Sequence, residues 1–438
     1  MKSLPLAVLA ALAVLPATAE ADTVQDAIAS DMPGLMETYR DLHSHPELSF
    51  QELRSAAIMA KAAREAGFTV TEKVGKTGIV AVLENGPGPT VLIRADMDAL
   101  PVTEQTGLPF ASKQRGVSTA GVESGIMHAC GHDTHMTAWI ETARLMAARK
   151  ADWSGTLVMV GQPAEEMGLG ALAMLKDGLY TRFPKPDYTL AFHDTPELPS
   201  GVVGAAKGWA LANVDSVDIL VKGVGGHGAY PHMTKDPIVL ASAIVMKLQT
   251  LASREIDPQD PVVVTVGSFH AGTKHNIISD HAKLELTVRS YSDATRAKLL
   301  SGIKRIAKGE AIASGLPEDL MPEVTVKEPY TRSTYNSPEF TQEAIAYLQQ
   351  KMGKDRAVIT PSVMGGEDFG EFRRADADHI KSIIFWVGGS PAEKIAAARA
   401  GGAPLPSLHS PFWAPEADKV IAGGSQALTL TAMRLMAK

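Results

Sequence analysis

The sequence predicts an α/β fold with a smaller α+β domain inserted into it. In residues 22–205 and 326–438, short apolar runs typical of buried strands alternate with amphipathic helical stretches. In residues 206–325 the strand-like runs instead alternate apolar and polar residues, as one-sided antiparallel strands do. Without a leader the chain has roughly 420 residues, more than one ordinary core holds, so we expect two domains.

The first part of the larger domain begins with a helical stretch over Val24–Gly67 that Pro46 interrupts. Apolar runs then predict strands, and helical patterns lie among them. The predicted strands are Ile79–Leu83, Thr90–Arg94, Thr156–Gly161 and Tyr188–Phe192, and the predicted helices are Thr134–Arg149 and Leu169–Asp177. This alternation predicts a sheet with helices on both faces.

The inserted segment predicts strands that are covered on one face by two helices. Its strands are Val214–Lys222, Val262–Gly267 and Leu284–Ser290, and its helices are Pro237–Ala252 and Asp293–Ser314. The larger domain then resumes. Its remaining predicted elements are the helix Pro338–Met352, the strand Ser382–Gly388 and a final helix from Pro415.

Residues 1–21 have the pattern of a secretory signal peptide. Lys2 gives a positive start, Leu4–Leu15 an apolar core, and small residues allow cleavage after Ala19 or Ala21. The apolar run is shorter than the about 20 residues of a membrane span. We therefore expect the mature protein to be periplasmic or secreted.

Composition narrows the class of partner. A hydrophobic content of 45% with 21% charged residues is normal for a folded soluble protein, and the formal net charge is −7. No basic face for nucleic acid or anionic lipid is indicated. The single cysteine, Cys130, excludes an internal disulfide. Because His128 and His132 flank it, a metal ligand or a nucleophile is favoured over an inert buried thiol.

Cys130 and His132 lie two residues apart in the chain. In a turn, a thiolate and an imidazole at this spacing can reach one cation, and zinc-type metals accept both ligands. Two ligands do not complete a site. The remaining ligands must therefore come from other parts of the chain.

Further candidate ligands follow predicted strands or lie in loops. Glu165 and Glu166 follow a strand, and adjacent carboxylates that are buried unpaired repel each other. One is therefore expected to bind a cation and the other to transfer protons, unless both are solvated loop acids. His193 follows Tyr188–Phe192 at a carboxyl end, where open α/β sheets bind ligands, and His409 lies in a Gly/Pro-rich loop.

Asp96 and Asp98 follow the predicted strand Thr90–Arg94. Carboxylates at such positions commonly orient a ligand histidine. An ordinary strand-end turn is the alternative.

Two other motifs imitate functional signatures. The His43–His45 segment resembles the HxH of metal-dependent barrel hydrolases, but it lies in a helical stretch and not after a first strand. Gly223–Gly228 fits GxGxxG, yet the following strand ends without the acid that a dinucleotide ribose requires. A nicotinamide-dependent enzyme is thus the least favoured hypothesis.

Taken together, the motifs resemble those of the aminoacylase/carboxypeptidase G superfamily of two-metal hydrolases. The matching segments are, in chain order, MHACGHDTH, QPAEE, the end of the His193 strand, GGHGAYPH, VGSFHAGTKHN and LHSPFW. They are most similar to the hippurate hydrolase and auxin-conjugate amidohydrolase branch, and the resemblance runs from Leu42 to Trp413. It implies a zinc-peptidase-like catalytic domain that carries an inserted α+β lid and dimerisation domain.

The resemblance also implies a ligand set for two divalent metal ions per subunit, which would be Zn, Mn, Co or Ni. The implied ligands are Cys130, His132, Glu166, His193 and His409. In this branch the cysteine stands where relatives have a bridging aspartate. The thiol is therefore expected to bridge both cations as a thiolate.

By the same resemblance, Glu165 is the general base and Asp98 orients a ligand histidine. His227 is expected to reach across a dimer to the oxyanion, and Asn276 to help hold the substrate. Arg289 is a candidate partner for a substrate carboxylate, since guanidinium groups bind carboxylates bidentately. A solvated strand residue is the equally weighted alternative for Arg289.

Some positions have a less certain role or depart from the family pattern. Glu367 and Asp368 lie on a loop that the resemblance places near the site. Met136 and Trp139 stand where smaller side chains are frequent. This departure makes the shape of the acyl pocket an open question.

The function that the sequence predicts is an exported amidohydrolase that cleaves N-acyl amino acids such as hippurate or N-acetyl conjugates. A dipeptidase or carboxypeptidase would need the same metals and base. A periplasmic metal-binding protein without catalysis is a further alternative, although Glu165 is retained. We expect a homodimer or a higher oligomer.

Overall fold

The structure is a computed structural model that describes residues 19–119 and 121–438. Most of the predicted signal peptide, residues 1–18, lies outside the described residues. Among the helices of the described chain, none is long and apolar enough to cross a membrane. The helices are α1 (Ala19–Ser44), α2 (Leu53–Glu65), α3 (His132–Ala148), α4 (Gly170–Lys176), α5 (Leu179–Arg182), α6 (Pro237–Thr250), α7 (Asp293–Ala313), α8 (Pro338–Met352), α9 (Gly370–Arg374), α10 (Ala392–Arg399) and α11 (Ala417–Leu435).

The strands of the described residues form one large sheet, one smaller sheet and two-stranded ribbons. The strands of the first half are β1 (Thr69–Val74), β2 (Gly78–Asn85), β3 (Thr90–Asp96), β4 (Arg115–Val117), β5 (Glu123–Gly125), β6 (Gly155–Gln162), β7 (Tyr188–Pro199), β8 (Val203–Ala205) and β9 (Gly208–Leu211). Those of the second half are β10 (Asn213–Lys222), β11 (Gly226–His227), β12 (Val263–Ala271), β13 (Ile277–Ile278), β14 (His281–Ser290), β15 (Glu323–Val326), β16 (Thr334–Asn336), β17 (Ala357–Ile359) and β18 (Lys381–Ser390).

The large sheet has eight strands in the order β1-β2-β6-β3-β7-β18-β8-β17. At its centre, β6, β3, β7 and β18 run parallel, so their carboxyl ends meet at one edge of the sheet. Successive apolar residues of a strand face opposite sides. Val91 and Ile93 of β3 join the core beneath α2, α3, α8 and α11, whereas Leu92 joins the core beneath α4 and α9. This three-layer arrangement confirms the predicted α/β class.

The smaller sheet is antiparallel throughout, in the order β12-β14-β10-β15. Helices α6 and α7 pack against it and enclose a separate apolar core that includes Ile219, Leu284, Leu240 and Ile303. Its strands run from Asn213 to Val326, whereas the sequence analysis placed the inserted domain at residues 206–325. On either side of the insertion, β9 and β16 pair with each other, so the chain enters and leaves side by side.

The GxGxxG segment, Gly223–Gly228, joins β10 to β11. Strand β10 belongs to the antiparallel sheet, and the segment leads into a two-stranded ribbon, not into a helix. A dinucleotide site requires a strand, the glycine turn and then a helix N-terminus. The nicotinamide hypothesis is therefore wrong for this segment.

Candidate metal centre and active site

The turn that precedes α3 brings two predicted ligands to the carboxyl edge of the large sheet. Gly131 caps the helix with a φ of 76°. A Cβ at this position would lie 2.2 Å from Oδ2 of Asp194. Glycine is required here because the backbone is left-handed and the neighbouring carboxylate is so close. The turn places the buried side chains of Cys130 and His132 on either side of it.

All five predicted metal ligands lie together. Sγ of Cys130 is 3.4 Å from Nε2 of His193 and 3.2 Å from Nε2 of His409. Glu166 approaches the same centre, with Oε2 3.4 Å from Nε2 of His409 and Oε1 4.0 Å from Nε2 of His132. Overlapping groups of these atoms, each within 4.8 Å of one another, could hold metal ions. The structure thus assembles one thiol, three imidazoles and one carboxylate.

The histidine rings are held so that Nε2 faces the cluster. Nδ1 of His132 donates to the carbonyl of Asp98 at 2.7 Å, and Nδ1 of His193 donates to the carbonyl of Asp194 at 2.7 Å. Nε2 of His132 and Oε1 of Glu166 are buried and have no hydrogen-bond partner among the described residues. Free lone pairs on oriented ligands suit a cation at this point.

The turn Glu165–Met167 is held by Asp98. The carboxylate of Asp98 accepts hydrogen bonds from the backbone N–H of Glu165 at 3.0 Å and of Glu166 at 3.1 Å. It also accepts one from the hydroxyl of Ser49 at 2.6 Å. Asp98 was predicted to orient a ligand histidine. Its carbonyl accepts from the His132 ring, its Oδ1 lies 3.5 Å from Nδ1 of the same ring, and its carboxylate also positions the two glutamates.

The electrostatics of the cluster favour a bound cation. Burial and the neighbouring charge of Glu166 raise the pKa of the Cys130 thiol well above its usual range. Burial raises the pKa of Glu166 to about 8, and burial with the charges of Glu367 and Glu166 raises the pKa of Glu165 well above its usual range. Divalent cations would offset this penalty on the ionised forms.

His193 and His409 reach the cluster from different elements. The sequence analysis placed His193 after the strand Tyr188–Phe192. Strand β7 continues to Pro199, however, so His193 lies within it. The backbone N–H of His409 donates to the carbonyl of Ala129 at 2.8 Å, and the φ of His409 is 66°. Partial burial and the charges of nearby cationic groups lower the pKa of His409 to about 4. Its imidazole is thus neutral at pH 7, as a metal ligand must be.

A cavity of about 410 Å³ opens onto the cluster. Glu165 and Arg289 line it together with four of the predicted ligands. Arg289 is half-buried on β14, and its Nη1 donates to the carbonyl of Met364 at 2.7 Å. Nε of Arg289 donates to Oγ1 of Thr287 at 3.4 Å, which leaves Nη2 for a ligand in the cavity. Arg289 is therefore not simply a solvated strand residue.

The two other predicted lid residues lie elsewhere. His227 and Asn276 are both exposed, and neither is among the described residues that line the cavity. They lie close to each other, because the N–H of Gly228 donates to the carbonyl of Asn276 at 2.9 Å and β11 pairs with β13. Within one chain, the structure does not bring them to the metal cluster.

Behind the ligands lies a layer of polar side chains to which the sequence analysis assigned no role or only a general one. His135 is fully buried, with Nδ1 2.6 Å from Oδ1 of Asp96 and Nε2 accepting from the N–H of Asp194 at 3.0 Å. Oδ2 of Asp96 lies 3.5 Å from Nε2 of His132. The sequence did indicate that His135 lies near the cluster, since His135 comes three residues after His132 and therefore shares its helix face.

Glu367 and Asp368 are buried beneath the cavity, not on its surface. Nη2 of the fully buried Arg94 lies 2.7 Å from Oε1 of Glu367 and 3.3 Å from Oδ1 of Asp368. The neighbouring glycines 365 and 366 line the cavity. The two acids therefore fix the loop that forms one wall of the site.

Met136 and Trp139 lie on α3. Both are fully buried in the apolar core between α3 and the large sheet. Neither residue lines the cavity that Glu165 and Arg289 share. Their effect on the shape of the acyl pocket stays a prediction.

The His43–His45 segment is not part of the ligand cluster either. His43 is buried on α1, with Nδ1 2.7 Å from Oδ2 of Asp133 and Nε2 3.1 Å from Oε1 of Glu104. Burial alone would lower the pKa of His43, but the two carboxylates outweigh it and raise the pKa to about 10. This charged imidazole ties α1 to the start of α3.

A buried cluster of thiol, imidazole and carboxylate groups at the carboxyl edge of a parallel sheet, with an inserted α+β domain, defines a metal-dependent hydrolase. The sequence profile of peptidase family M20/M25/M40 matches residues 92–400. The chain belongs to this family, which confirms the resemblance that the motifs indicated and makes the protein a metal-dependent amidohydrolase.

Known relatives cover most of the chain. It is 38% identical to the hippurate hydrolase of Campylobacter jejuni over 344 residues, which cover 78% of this chain and 86% of that protein. It is 37% identical to thermostable carboxypeptidase 1 of Saccharolobus solfataricus over 342 residues, covering 77% and 82% of the two chains. The crystal structure of the YxeP protein of Bacillus subtilis, described as a dinuclear metal-binding peptidase of the M20 family, matches with a TM-score of 0.74 and 30% identity over 93% of this chain and 99% of that one.

Proposed function

We propose that the protein hydrolyses the amide bond of N-acyl amino acids and releases a carboxylic acid and a free amino acid. The observation that carries this proposal is the shared cavity, which the ligand cluster, Glu165 and Arg289 all line. An N-acyl amino acid presents an amide bond and a carboxylate a few bonds apart, which suits a metal centre and a guanidinium in one cavity. Hippurate, the substrate named for one relative, is such a compound.

Divalent metal ions fit the cluster, and the residues that would hold two of them are Cys130, His132, Glu166, His193 and His409. The unpartnered buried atoms of His132 and Glu166 support this assignment. When bound, the two cations would lower the pKa of a water molecule and polarise the amide carbonyl. Thiolate and imidazole ligands suit zinc, cobalt or nickel, and the resemblance adds manganese. The dinuclear description of the B. subtilis structure supports two ions.

Glu165 would accept a proton from the attacking water and return it to the leaving amine. Glu165 lines the cavity beside the ligand Glu166, where a carboxylate can take up and release a proton. The carboxylate of Asp98 would keep Glu165 in place, because it accepts a hydrogen bond from the backbone N–H of Glu165. Arg289 would bind the substrate carboxylate and so align the amide bond with the base.

A second copy of the chain would complete the site with His227 and Asn276, as a donor to the oxyanion and a contact to the substrate. Both residues are exposed and lie outside the cavity of their own chain. The lid also exposes apolar side chains that a partner would cover, namely Val239 at 66% and Met246 at 72% on α6, and Phe269 at 40% on the edge strand β12. Exposed apolar side chains beside an open sheet edge support a homodimer.

The N-terminal pattern of residues 1–21 supports export to the periplasm or the medium. N-terminal sequencing of the protein from fractionated cells would test this. We expect a mature chain that starts at Glu20 or Asp22. An uncleaved chain in the cytoplasmic fraction would contradict export.

The proposed activity is tested by following amino-acid release from a panel of N-acetyl and N-benzoyl amino acids. The enzyme is stripped of metal and reloaded in turn with zinc, manganese, cobalt or nickel. Glu165→Gln is the control, since it keeps the size and shape of the side chain but replaces the carboxylate by a neutral amide that cannot act as a base. We expect metal-dependent release that the control loses by roughly 100- to 10,000-fold.

A peptidase is the second candidate, because the carboxypeptidase relative supports it. Dipeptides and N-acylated dipeptides in the same panel separate the two candidates. A higher kcat/KM on peptides than on every N-acyl amino acid would favour the peptidase. Two bound metals without release from any substrate would contradict both and favour a binding protein.

A further inference from the structure

A second cavity, of about 300 Å³, adjoins the metal-ligand cluster on the far side of the turn Glu165–Met167. Glu166 lines both cavities. The turn then separates them, because Gly168 lines the cavity of Arg289 and Met167 lines the second one. Each cavity therefore adjoins the ligand cluster through Glu166.

The walls of the second cavity differ in chemistry from those of the first. Leu48, Ala99, Leu100 and Met167 give it an apolar lining, and serine and threonine hydroxyls contribute at the 118–119 turn. Among the described residues that line it, none is a lysine, an arginine or a histidine. A carboxylate would lose its hydration here without gaining a cationic partner, whereas an uncharged apolar group loses little.

The apolar wall is held in place before any ligand binds. The N–H of Leu100 donates to the carbonyl of Met127 at 3.0 Å, and the N–H of Met127 donates back at 3.1 Å. Leu48 packs with Ala99 and Ile126 in a small buried cluster. A preformed wall binds a ligand without the entropic cost of ordering it.

Met167 is the adaptable part of the lining. Its side chain is 38% exposed, although it follows directly after a carboxylate of the ligand cluster. An exposed large apolar side chain at the mouth of a cavity is a typical ligand contact. The unbranched thioether can also adjust its rotamer to groups of different shape.

The geometry points to the second cavity as the site of the acyl group, with Leu48, Leu100 and Met167 determining acyl specificity. This inference rests on the proposed function and adds the substrate class. The preferred acyl group is uncharged and larger than acetyl, aromatic or of about six carbons, because an acetyl group would leave most of the 300 Å³ to water. The amino-acid carboxylate stays with Arg289 in the other cavity.

The test compares kcat/KM for N-acetyl-, N-butanoyl-, N-hexanoyl- and N-benzoylglycine on the metal-loaded enzyme. Wild type should favour the hexanoyl or benzoyl compound over the acetyl compound by about tenfold or more, in line with the usual discrimination by apolar pockets. Met167→Trp, which fills the cavity, should remove this preference by at least about tenfold, because kcat/KM should fall more for the hexanoyl and benzoyl compounds than for the acetyl compound. Ile312→Trp, at a 59% exposed apolar position of α7, is the matched control and should leave the preference unchanged.

A binding measurement separates failure of the inference from failure of the proposed function. In the Glu165→Gln background, calorimetry should show tighter binding of N-benzoylglycine than of N-acetylglycine, and Met167→Trp should abolish the difference. Hydrolysis of acetylglycine with a flat acyl profile would overturn the inference alone. If nothing is hydrolysed, the proposed function fails, and equal binding of the two ligands would then overturn the inference as well.

Discussion

The metal-ligand cluster and the face of the lid that carries His227 are built in opposite ways. The cluster side chains, apart from His409, are buried, and backbone carbonyls orient the rings of His132 and His193. On the inserted domain, His227 lies in the short β11–β13 ribbon and Asn276 directly precedes β13, and both residues are exposed. A single chain supplies all the predicted ligands of the cluster, whereas His227 and Asn276 do not line the cavity of their own chain.

Under the proposed homodimer, this difference separates the part of the site that one chain supplies from the part that needs a second copy. A buried cluster behind helix α3 should keep its geometry in an isolated monomer, because its supporting hydrogen bonds all lie within the larger domain. The exposed lid residues would acquire a function only when another chain covers them. Metal binding and catalysis should therefore respond differently to changes in the two regions.

Cys130→Ser should have the largest effect, since it changes a ligand at the centre of the buried cluster. Loss of the thiolate should weaken metal binding by more than the roughly 10- to 100-fold that loss of an outer partner costs, and activity should fall with it. Metal content is measured by elemental analysis after dialysis, and kcat/KM on the preferred substrate in parallel.

The matched control for this variant is Thr137→Ser, a conservative buried change on the same helix. It keeps the hydroxyl that donates to the carbonyl of Asp133. The control should retain both metals. Two metals and full turnover in Cys130→Ser would remove the cysteine from the ligand set.

His227→Ala should have the next largest effect and should separate the two regions. Loss of an oxyanion donor typically lowers kcat by about 100- to 1,000-fold, while metal content should stay at the wild-type level. Mixing this variant with Glu165→Gln should restore activity to about a quarter of wild type, because half of the dimers are mixed and each has one complete site.

The mixing experiment decides between action within and between chains. His232→Ala, an exposed histidine of the same lid segment, is the control and should retain full turnover. If the mixture stays inactive although heterodimers form, His227 does not act on the partner subunit. Unchanged turnover in His227→Ala would make it an ordinary loop residue.

Arg289→Lys should have a smaller effect that is confined to substrate carrying a carboxylate. Lysine keeps the charge but cannot make the bidentate contact, so kcat/KM should fall about tenfold, mainly through KM. For the corresponding N-acyl amino-acid amide, which lacks the carboxylate, kcat/KM of the variant and of wild type should be equal. An equal loss on both substrates would show that Arg289 supports the loop at Met364 and does not bind substrate.

The residues alone indicated Cys130 and His132 as a partial metal site, with Glu165 or Glu166, His193 and His409 as further candidates. The family resemblance then assigned the set of five ligands, with Glu166 as the ligand and Glu165 as the base. The groups that orient the ligand histidines were harder to predict. A backbone carbonyl such as that of Asp194 is present in every residue, so the residue type does not identify it. Contacts of this kind depend on how β3, β7 and α3 pack together.

Other features of the site depend on contacts between segments that are far apart in sequence, and a local sequence pattern does not reveal such contacts. Met136 and Trp139 follow the metal turn in sequence, yet both are buried in the apolar core, and neither lines the cavity that Glu165 and Arg289 share. The second cavity joins Leu48 and Met167, which lie far apart in sequence. A short edge strand such as β15 also lacks the length that makes a strand recognisable.

His43→Gln should have the smallest effect on turnover and a pH-dependent effect on stability. His43 carries its charge between the buried carboxylates of Asp133 and Glu104, so its loss should lower the free energy of unfolding by about 3 kcal/mol near pH 6. Denaturant unfolding of the metal-loaded protein from pH 6 to 10.5 measures this. His45→Gln, at a neighbouring exposed histidine, is the matched control.

The sign of the pH effect follows from the two pKa values. The pKa of His43 is about 10 in the folded protein and 6.5 in the unfolded chain, so the stabilisation is complete below about pH 6.5 and is lost as the pH rises through 10. The difference between wild type and His43→Gln should therefore shrink over this range. A difference that is constant with pH would mean that His43 contributes packing and not charge. Because α1 and α3 belong to the buried region, the result also measures how much of that region's rigidity depends on ionic contacts.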